Sequence, residues 1–246
     1  MDKQAIYKKM VDNVNKCSLC DGTTALSRDK TQRIGLQHAQ ISHVNLWSFW
    51  QGNLSPEILV IGQDWGKLPN NEKMNTFTNS AAYRINIAKE KNTTDYNLVK
   101  LFSETFSIDI LAVQKLFFTN SVFCYKKGNL NESVRISWFS NCNMHYMSEL
   151  ILLLEPKCII TLGIKALHGL AKSGNIYSDG SLVKKIYRLS LKVVLQDPNQ
   201  LWWEALNKCK RVRLFPVFHP GRYSSRNRPF QQQLHDWKRI KPFVSL

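Results

Sequence analysis

The chain has 246 residues, with 34 Lys plus Arg against 18 Asp plus Glu, and carries a formal net charge of +16. Its 43% hydrophobic and 11% aromatic content exclude a disordered chain, and the length suits one large domain or two small ones. The longest apolar run, Leu150 to Leu154, falls far short of the roughly 18 residues of a membrane span, and MDKQAIYKKM has no signal-peptide core. A cytoplasmic protein that meets a polyanion, nucleic acid first, is therefore expected.

In chain order the pattern alternates strand and helix. Residues 57–62 (EILVIG) form a short β-branched run ended by Gly, which reads as a buried strand. Residues 78–91 carry helical periodicity, and Lys115 to Phe123 reads as a second strand. Asn143 to Leu154 reads as a helix that stops before Pro156, because the residue before proline disfavours the right-handed helical region. Lys157 to Leu162 is a third strand, Gly163 to Lys172 a helix, and Leu191 to Leu195 a strand candidate. Asp197 is placed as the cap of a helix with Pro198 at its first position. Val212 to Phe218 is the last strand, and Asn227 with Pro229 opens a closing helix. Short apolar strands alternating with helices predict a parallel sheet covered on both faces. Ligands then sit at the carboxyl ends of strands, which selects Gln63-Asp64-Trp65, the Asn120 region and His219.

The charge is concentrated late in the chain. From Asn207 to Leu246 ten basic residues meet one acid, Asp236. Phe215, Phe218, Tyr223, Phe230 and Trp237 lie among them, a mixture that suits phosphates and bases better than a free tail. The segment is expected to be folded and to face the ligand.

Six cysteines in a cytoplasmic chain argue against a disulfide framework. Cys17 and Cys20 form a CxxC, Cys124 follows the second strand, and Cys142 opens the next helix. Together they make a candidate four-cysteine site for an iron–sulfur cluster or zinc. Cys158 lies inside an apolar strand and reads as packing, and Cys209 has no assigned role.

These motifs resemble, over residues 17 to 228, the uracil-DNA glycosylase superfamily, most closely its iron–sulfur (family 4-like) branch. The resemblance rests on Cys17 and Cys20, then Thr119-Asn120 with Cys124, then Cys142, then the run from Pro156 to Gly163 (PKCIITLG). Gly62-Gln63-Asp64-Trp65-Gly66 resembles the first motif, opening like the Gly-Gln-Asp-Pro-Tyr of the uracil-excision branch and closing on the Gly of the iron–sulfur branch. His219-Pro220-Gly221-Arg222-Tyr223 resembles the family's His-Pro-Ser loop. The stretch from Gly174 to Leu206 matches nothing in the pattern.

The resemblance implies a single domain over 1–246, a three-layer α/β/α sandwich around a short, mainly parallel four-stranded sheet, with an N-terminal Cys-containing segment (about 1–50) tied to it. It implies a DNA glycosylase that flips a base into a pocket and hydrolyses its N-glycosidic bond. Asp64 then orients the attacking water and offsets positive charge on the sugar, while His219 donates to the base oxygen. Asn120 reads the Watson–Crick edge, Gly62, Gln63, Trp65 and Gly66 line the pocket, and Phe77 stacks on the base. Tyr223 is the wedge, and Arg222, Ser224, Arg226 and Arg228 lie against the DNA backbone. Cys17, Cys20, Cys124 and Cys142 would hold a structural [4Fe-4S] cluster, with zinc the alternative. Since no lysine falls in a recognised nucleophile position, a monofunctional enzyme using water and leaving an abasic site is expected; it is also expected to be a monomer acting on duplex or single-stranded DNA.

The departures from the pattern bear on substrate. Gly66 replaces the tyrosine that rejects a 5-methyl pyrimidine, and Gly221 replaces Ser, each expected to remove bulk. The base is therefore expected to be uracil or a modified, 5-substituted pyrimidine, including a hypermodified base of foreign DNA in an antiviral role. A catalytically inactive nucleic-acid-binding protein of the same fold is the alternative, with Asp64 the discriminating residue. A zinc-stabilised nuclease would need clustered carboxylates, which the sequence lacks.

Overall fold

The computed structural model describes residues 2–23, 25–26, 33–34, 36–37, 53–64, 94–108, 115–126, 134–184, 186–196, 200–206 and 210–246. Its centre is a sheet in which apolar strands have helices on both faces. The parallel strands are β4 (Ile58–Asp64), β5 (Leu116–Val122), β7 (Cys158–Leu162) and β11 (Arg211–Val217). Three antiparallel strands extend it: β10 (Leu201–Ala205), β8 (Gly174–Ser178) and β9 (Ser181–Leu182). The spatial order is β5-β4-β7-β11-β10-β8-β9. The expected four strands are the parallel part of a seven-stranded sheet, and the extra three come from the stretch that matched no motif.

Alternation along β4 explains the layers. Leu59 and Ile61 enter one apolar cluster and Ile58 and Val60 the other, because successive side chains of a strand point to opposite faces. The first face is covered by α1 (Lys3–Asn15), by a long helical stretch from 136 to 154, and by α5 (Ile164–Leu170). The stretch runs as α3 (Ile136–Cys142), a π-helical turn (Asn143–Met147) and α4 (Ser148–Leu154). On the second face α2 (Thr94–Phe106) sets Leu98, Leu101, Phe102 and Phe106 against α8 (Phe230–Lys238). Each fully buried Leu or Ile in these layers contributes about 1.5–3 kcal/mol.

Several expectations change. The helix expected from Asn143 begins at Ile136, so Cys142 closes its first segment rather than opening it. It ends as expected before Pro156, with Glu155 in the left-handed region at φ 51°. Leu191–Gln196 is a helix, α6, not a strand. There Leu191 and Val194 are buried while Val193 is exposed, a helical spacing that the β-branched pair obscured. Residues 197–199 lie outside the described residues, and β10 occupies the place of the expected helix after Pro198. Its alternation of buried Leu201, Trp203 and Ala205 with half-buried Trp202 and Glu204 is a strand period. The helix expected over 78–91 lies outside the described residues, while α1 and α2 were not anticipated.

The late basic segment is folded, but its aromatics do not all face a ligand. Trp237 is fully buried and meets Phe102 with ring centroids 5.0 Å apart. Phe215 stacks against Phe243 at 5.5 Å, with Arg213 over the Phe243 ring at 4.0 Å. These rings belong to the second core face and the sheet extension. Among the described residues no helix is long and apolar enough to cross a membrane.

Candidate active site

Parallel strands carry their carboxyl ends to one edge of the sheet, and three polar groups meet there. Gly62 of β4 pairs with Asn120 of β5, and Asp64 pairs with Val122. A Cβ on Gly62 would collide with the Asn120 carboxamide oxygen, so glycine lets that buried side chain cross the neighbouring strand. This is why the motif begins with Gly.

The Asp64 carboxylate, its side chain 5% exposed, is held at both oxygens. Gln63 donates from Nε2 to Oδ2 at 2.6 Å, and Lys126 Nζ lies 3.3 Å from Oδ1. Lys126 is only 1% exposed. It sits in the short strand β6 (Tyr125–Lys126), paired antiparallel with β3 (Leu36–Gln37) just beyond β5. At this depth the desolvation of both charges offsets much of their attraction, but removing either partner strands a buried charge.

His219 follows β11. The Gly221 backbone N–H donates to its Nδ1 at 3.0 Å. An imidazole that accepts at Nδ1 carries its proton on Nε2, which fixes the tautomer as a donor on the far side of the ring. Burial holds the His219 pKa below the ordinary imidazole value, opposed in part by nearby Asp64. A neutral donor and a carboxylate therefore share one site. The loop is anchored from two sides. Gly163, at φ 87°, donates to the Val217 carbonyl at 2.7 Å and would place a Cβ 3.5 Å from His219 Cβ. Asn97 of α2 donates to the Pro220 carbonyl at 2.6 Å.

Gly221 does not open spare room. A Cβ there would lie 2.8 Å from His219 Nδ1 and 3.1 Å from Thr94 Oγ1, so the space is already filled by the His219 side chain and the start of α2. The expected loss of bulk is corrected to a tight fit around His219.

Short strands before, and helices after, position the remaining candidates. Residues 222–227 form α7 (Arg222–Asn227), which starts directly after the His219 loop and carries Ser224 and the exposed Arg226. The side chains of Arg222 and Tyr223 lie outside the described residues, as do Trp65, Gly66 and Phe77. Arg228 forms a two-point bond with Asp236, Nε to Oδ2 at 2.9 Å and Nη2 to Oδ1 at 2.6 Å. That pair, charge-assisted at both ends, ties the end of α7 to α8. Asp236 is thus the partner of one arginine in the basic segment rather than an isolated acid.

The four cysteines approach one another from three elements. Cys17 and Cys20 lie after α1, Cys124 between β5 and β6, and Cys142 at the end of α3. Burial pushes the Cys142 thiol up, and the neighbouring thiols of Cys124, Cys20 and Cys17 push it further. Burial likewise raises Cys20, against the Asn141 amide that donates to its sulfur at 3.3 Å. Asn141 also donates to the Leu19 carbonyl at 2.9 Å, and Trp138 Nε1 donates to Thr23 Oγ1 at 2.8 Å, so α3 clamps the N-terminal loop. Among the described residues no three of His, Cys, Asp and Glu stand close enough to hold a metal ion. Cys158 is buried in β7, as packing predicted, and burial raises its thiol to about 12.

This geometry coincides with an independent match: a family model described as the uracil DNA glycosylase superfamily covers residues 49–241. The chain belongs to the uracil-DNA glycosylase superfamily. No curated protein matches the sequence. Members of the superfamily are DNA glycosylases, so membership implies DNA as the partner and hydrolysis of an N-glycosyl bond as the class of reaction. Asp64, Asn120 and His219 lie at strand ends as expected, and Lys126, Thr94 and Asn97, which pack against Asp64 and the His219 loop, were not anticipated. Nothing in the spacing links these to the motifs. Only the packing of β6 and α2 brings them to the strand ends.

Proposed function

We propose that the protein is a DNA glycosylase that flips a pyrimidine, uracil or one substituted at C5, and uses water to cleave its N-glycosidic bond, leaving an abasic site. The observation that carries this reading is the nearness of the Asp64 carboxylate to the neutral His219 imidazole at the carboxyl ends of β4 and β11, on either side of β7. Cleavage builds positive charge on the sugar and negative charge on the departing base. Asp64 aims the water and faces the sugar, while His219 donates from Nε2 to the base oxygen. Asn120, held over Gly62, presents both a donor and an acceptor to the base edge. Gly66, in place of a tyrosine, supports room over C5, the feature that admits a hypermodified base of foreign DNA and with it a defence role. Residues of α7 and the loop before it lie against the duplex.

The iron–sulfur assignment belongs to the same reading. Cys17, Cys20, Cys124 and Cys142 would hold a [4Fe-4S] cluster, with zinc the alternative, and either group would act structurally by tying the N-terminal loop to β5 and α3. The clamp made by Asn141 and Trp138, which fixes the loop of Cys17 and Cys20 against α3, supports this assignment, and the thiols would have to close further around the group.

The test offers purified protein duplexes carrying uracil, thymine mismatches or bulky 5-substituted cytosines, beside Asp64→Asn. Base release that depends on Asp64 is expected. Release of uracil alone would remove the modified-base part. DNA binding without release of any base would leave a binding protein of the same fold.

A further inference from the structure

Among the described residues Lys126 is the one lysine or arginine that is buried, and it is buried against the carboxylate that the hydrolytic reading places at the sugar. Its amine and the attacking water share that carboxylate. A water that Asp64 aims at C1′ lies about 3–3.5 Å from that carbon in an attack-ready arrangement. Lys126 Nζ, 3.3 Å from Asp64 Oδ1 at the end of a flexible four-carbon stem, is then in the same neighbourhood. The expectation of a purely hydrolytic enzyme rested on motif positions, and Lys126 lies in none of them.

The product of base removal is an abasic sugar, whose ring opens to an aldehyde at C1′. Amines held in low-polarity surroundings beside a proton acceptor condense with carbonyls. We propose that Lys126 forms a Schiff base with the abasic sugar and makes the protein an abasic-site lyase, an activity that rests on the glycosylase reading only for the supply of its substrate. The steps balance without an oxidant or reductant. Asp64 takes a proton from the Lys126 ammonium, and the freed lone pair attacks C1′. Asp64 returns that proton to the carbinolamine oxygen, which leaves as water, giving a C1′=N iminium. The freed Asp64 carboxylate takes a C2′ proton, the electron pair forms a C2′=C3′ bond, and the C3′–O bond breaks with the 3′ phosphate as leaving group. Water then hydrolyses the iminium, which returns the Lys126 amine and releases the strand as an unsaturated aldehyde.

The experiment gives the full chain a duplex with a preformed abasic site, so that no base needs to be removed, and adds sodium cyanoborohydride to reduce any iminium. A covalent protein–DNA adduct is expected on a denaturing gel, with its peptide mapping to Lys126. Without the reductant, the strand should be cut 3′ to the site with no alkali added. Lys126→Arg retains a cation opposite Asp64 but forms no Schiff base, and should lower adduct and cutting at least 100-fold. Mapping on the unaltered protein decides the matter even if that variant does not fold. No adduct above a heat-denatured control, or an adduct at another amine, would overturn the proposal. Base release from a modified duplex is scored separately. Release without an adduct overturns the lyase alone, and an adduct without release overturns the glycosylase reading alone.

Discussion

The Asp64–Lys126 pair makes a strong prediction about stability as well as chemistry. Lys126→Met keeps the length of the stem and removes the ammonium, leaving the Asp64 carboxylate, 5% exposed, without its counter-ion. Asp64→Asn does the reverse and strands an ammonium that is 1% exposed. Breaking a buried pair from either side costs about 3–5 kcal/mol, which for a chain of this size is about 6–20 °C in Tm. The double variant buries neither charge, so its cost should fall well below the sum of the singles, with a coupling near the upper end of the ~0.5–3 kcal/mol seen for residues in contact. Urea unfolding followed by far-UV circular dichroism supplies the four free energies, provided the slope m is common to all of them. Single variants that each stay within about 0.5 kcal/mol of the parent, as surface changes do, would refute the reasoning. So would strict additivity, which would mean that the two charges do not feel each other.

Gly221→Ser should lower base release by about 10²-fold, the cost of a displacement near 1 Å at the chemistry. Its Cβ would stand 2.8 Å from His219 Nδ1, and unchanged release would show that the loop has slack. His219 should make stability depend on pH. Burial lowers its folded pKa beneath the unfolded value of about 6.5, so its contribution is complete above about pH 6.5 and is lost as pH falls through the folded value. The stability difference between the parent and His219→Asn should therefore shrink on acidification. A difference that stays constant between about pH 5 and pH 8 would contradict this. Anaerobically purified protein should be brown with bound iron, and Cys142→Ser should lose the colour along with stability. A colourless protein with one equivalent of zinc would select the other metal.

The parallel half of the sheet was legible because buried parallel strands read as short apolar runs ended by Gly or a polar residue, as β4 and β7 do. The extension was not. In β10 the tryptophans and the preceding Asp-Pro pair resemble a helix start until Leu201 is seen to pair with Leu214 and Ser178, which is a tertiary fact. Likewise Leu191 to Gln196 carries β-branched residues that favour a strand, and the burial of Leu191 and Val194 against the sheet overrides them. Trp237 is the reverse case, since an aromatic among basic residues suggests a ligand face, yet α8 turns it onto Phe102.

The same contrast separates the parts of the site. Asp64 ends β4, Asn120 lies near the end of β5 and His219 follows β11, and a parallel sheet brings strand ends together whatever the intervening sequence, so a rule about topology was enough to single them out. Lys126 obeys no such rule. It reaches Asp64 because two-residue β6 pairs with two-residue β3, and strands that short have no signature in sequence. A fold does not keep a lysine 1% exposed without a partner, since the desolvation of an ammonium costs several kcal/mol. Here that partner is Asp64, the carboxylate to which the proposed base removal assigns the water. Any change that repositions Asp64 therefore also moves the amine, so a variant that disturbs the proposed base removal through Asp64 should disturb Lys126 through the same bond.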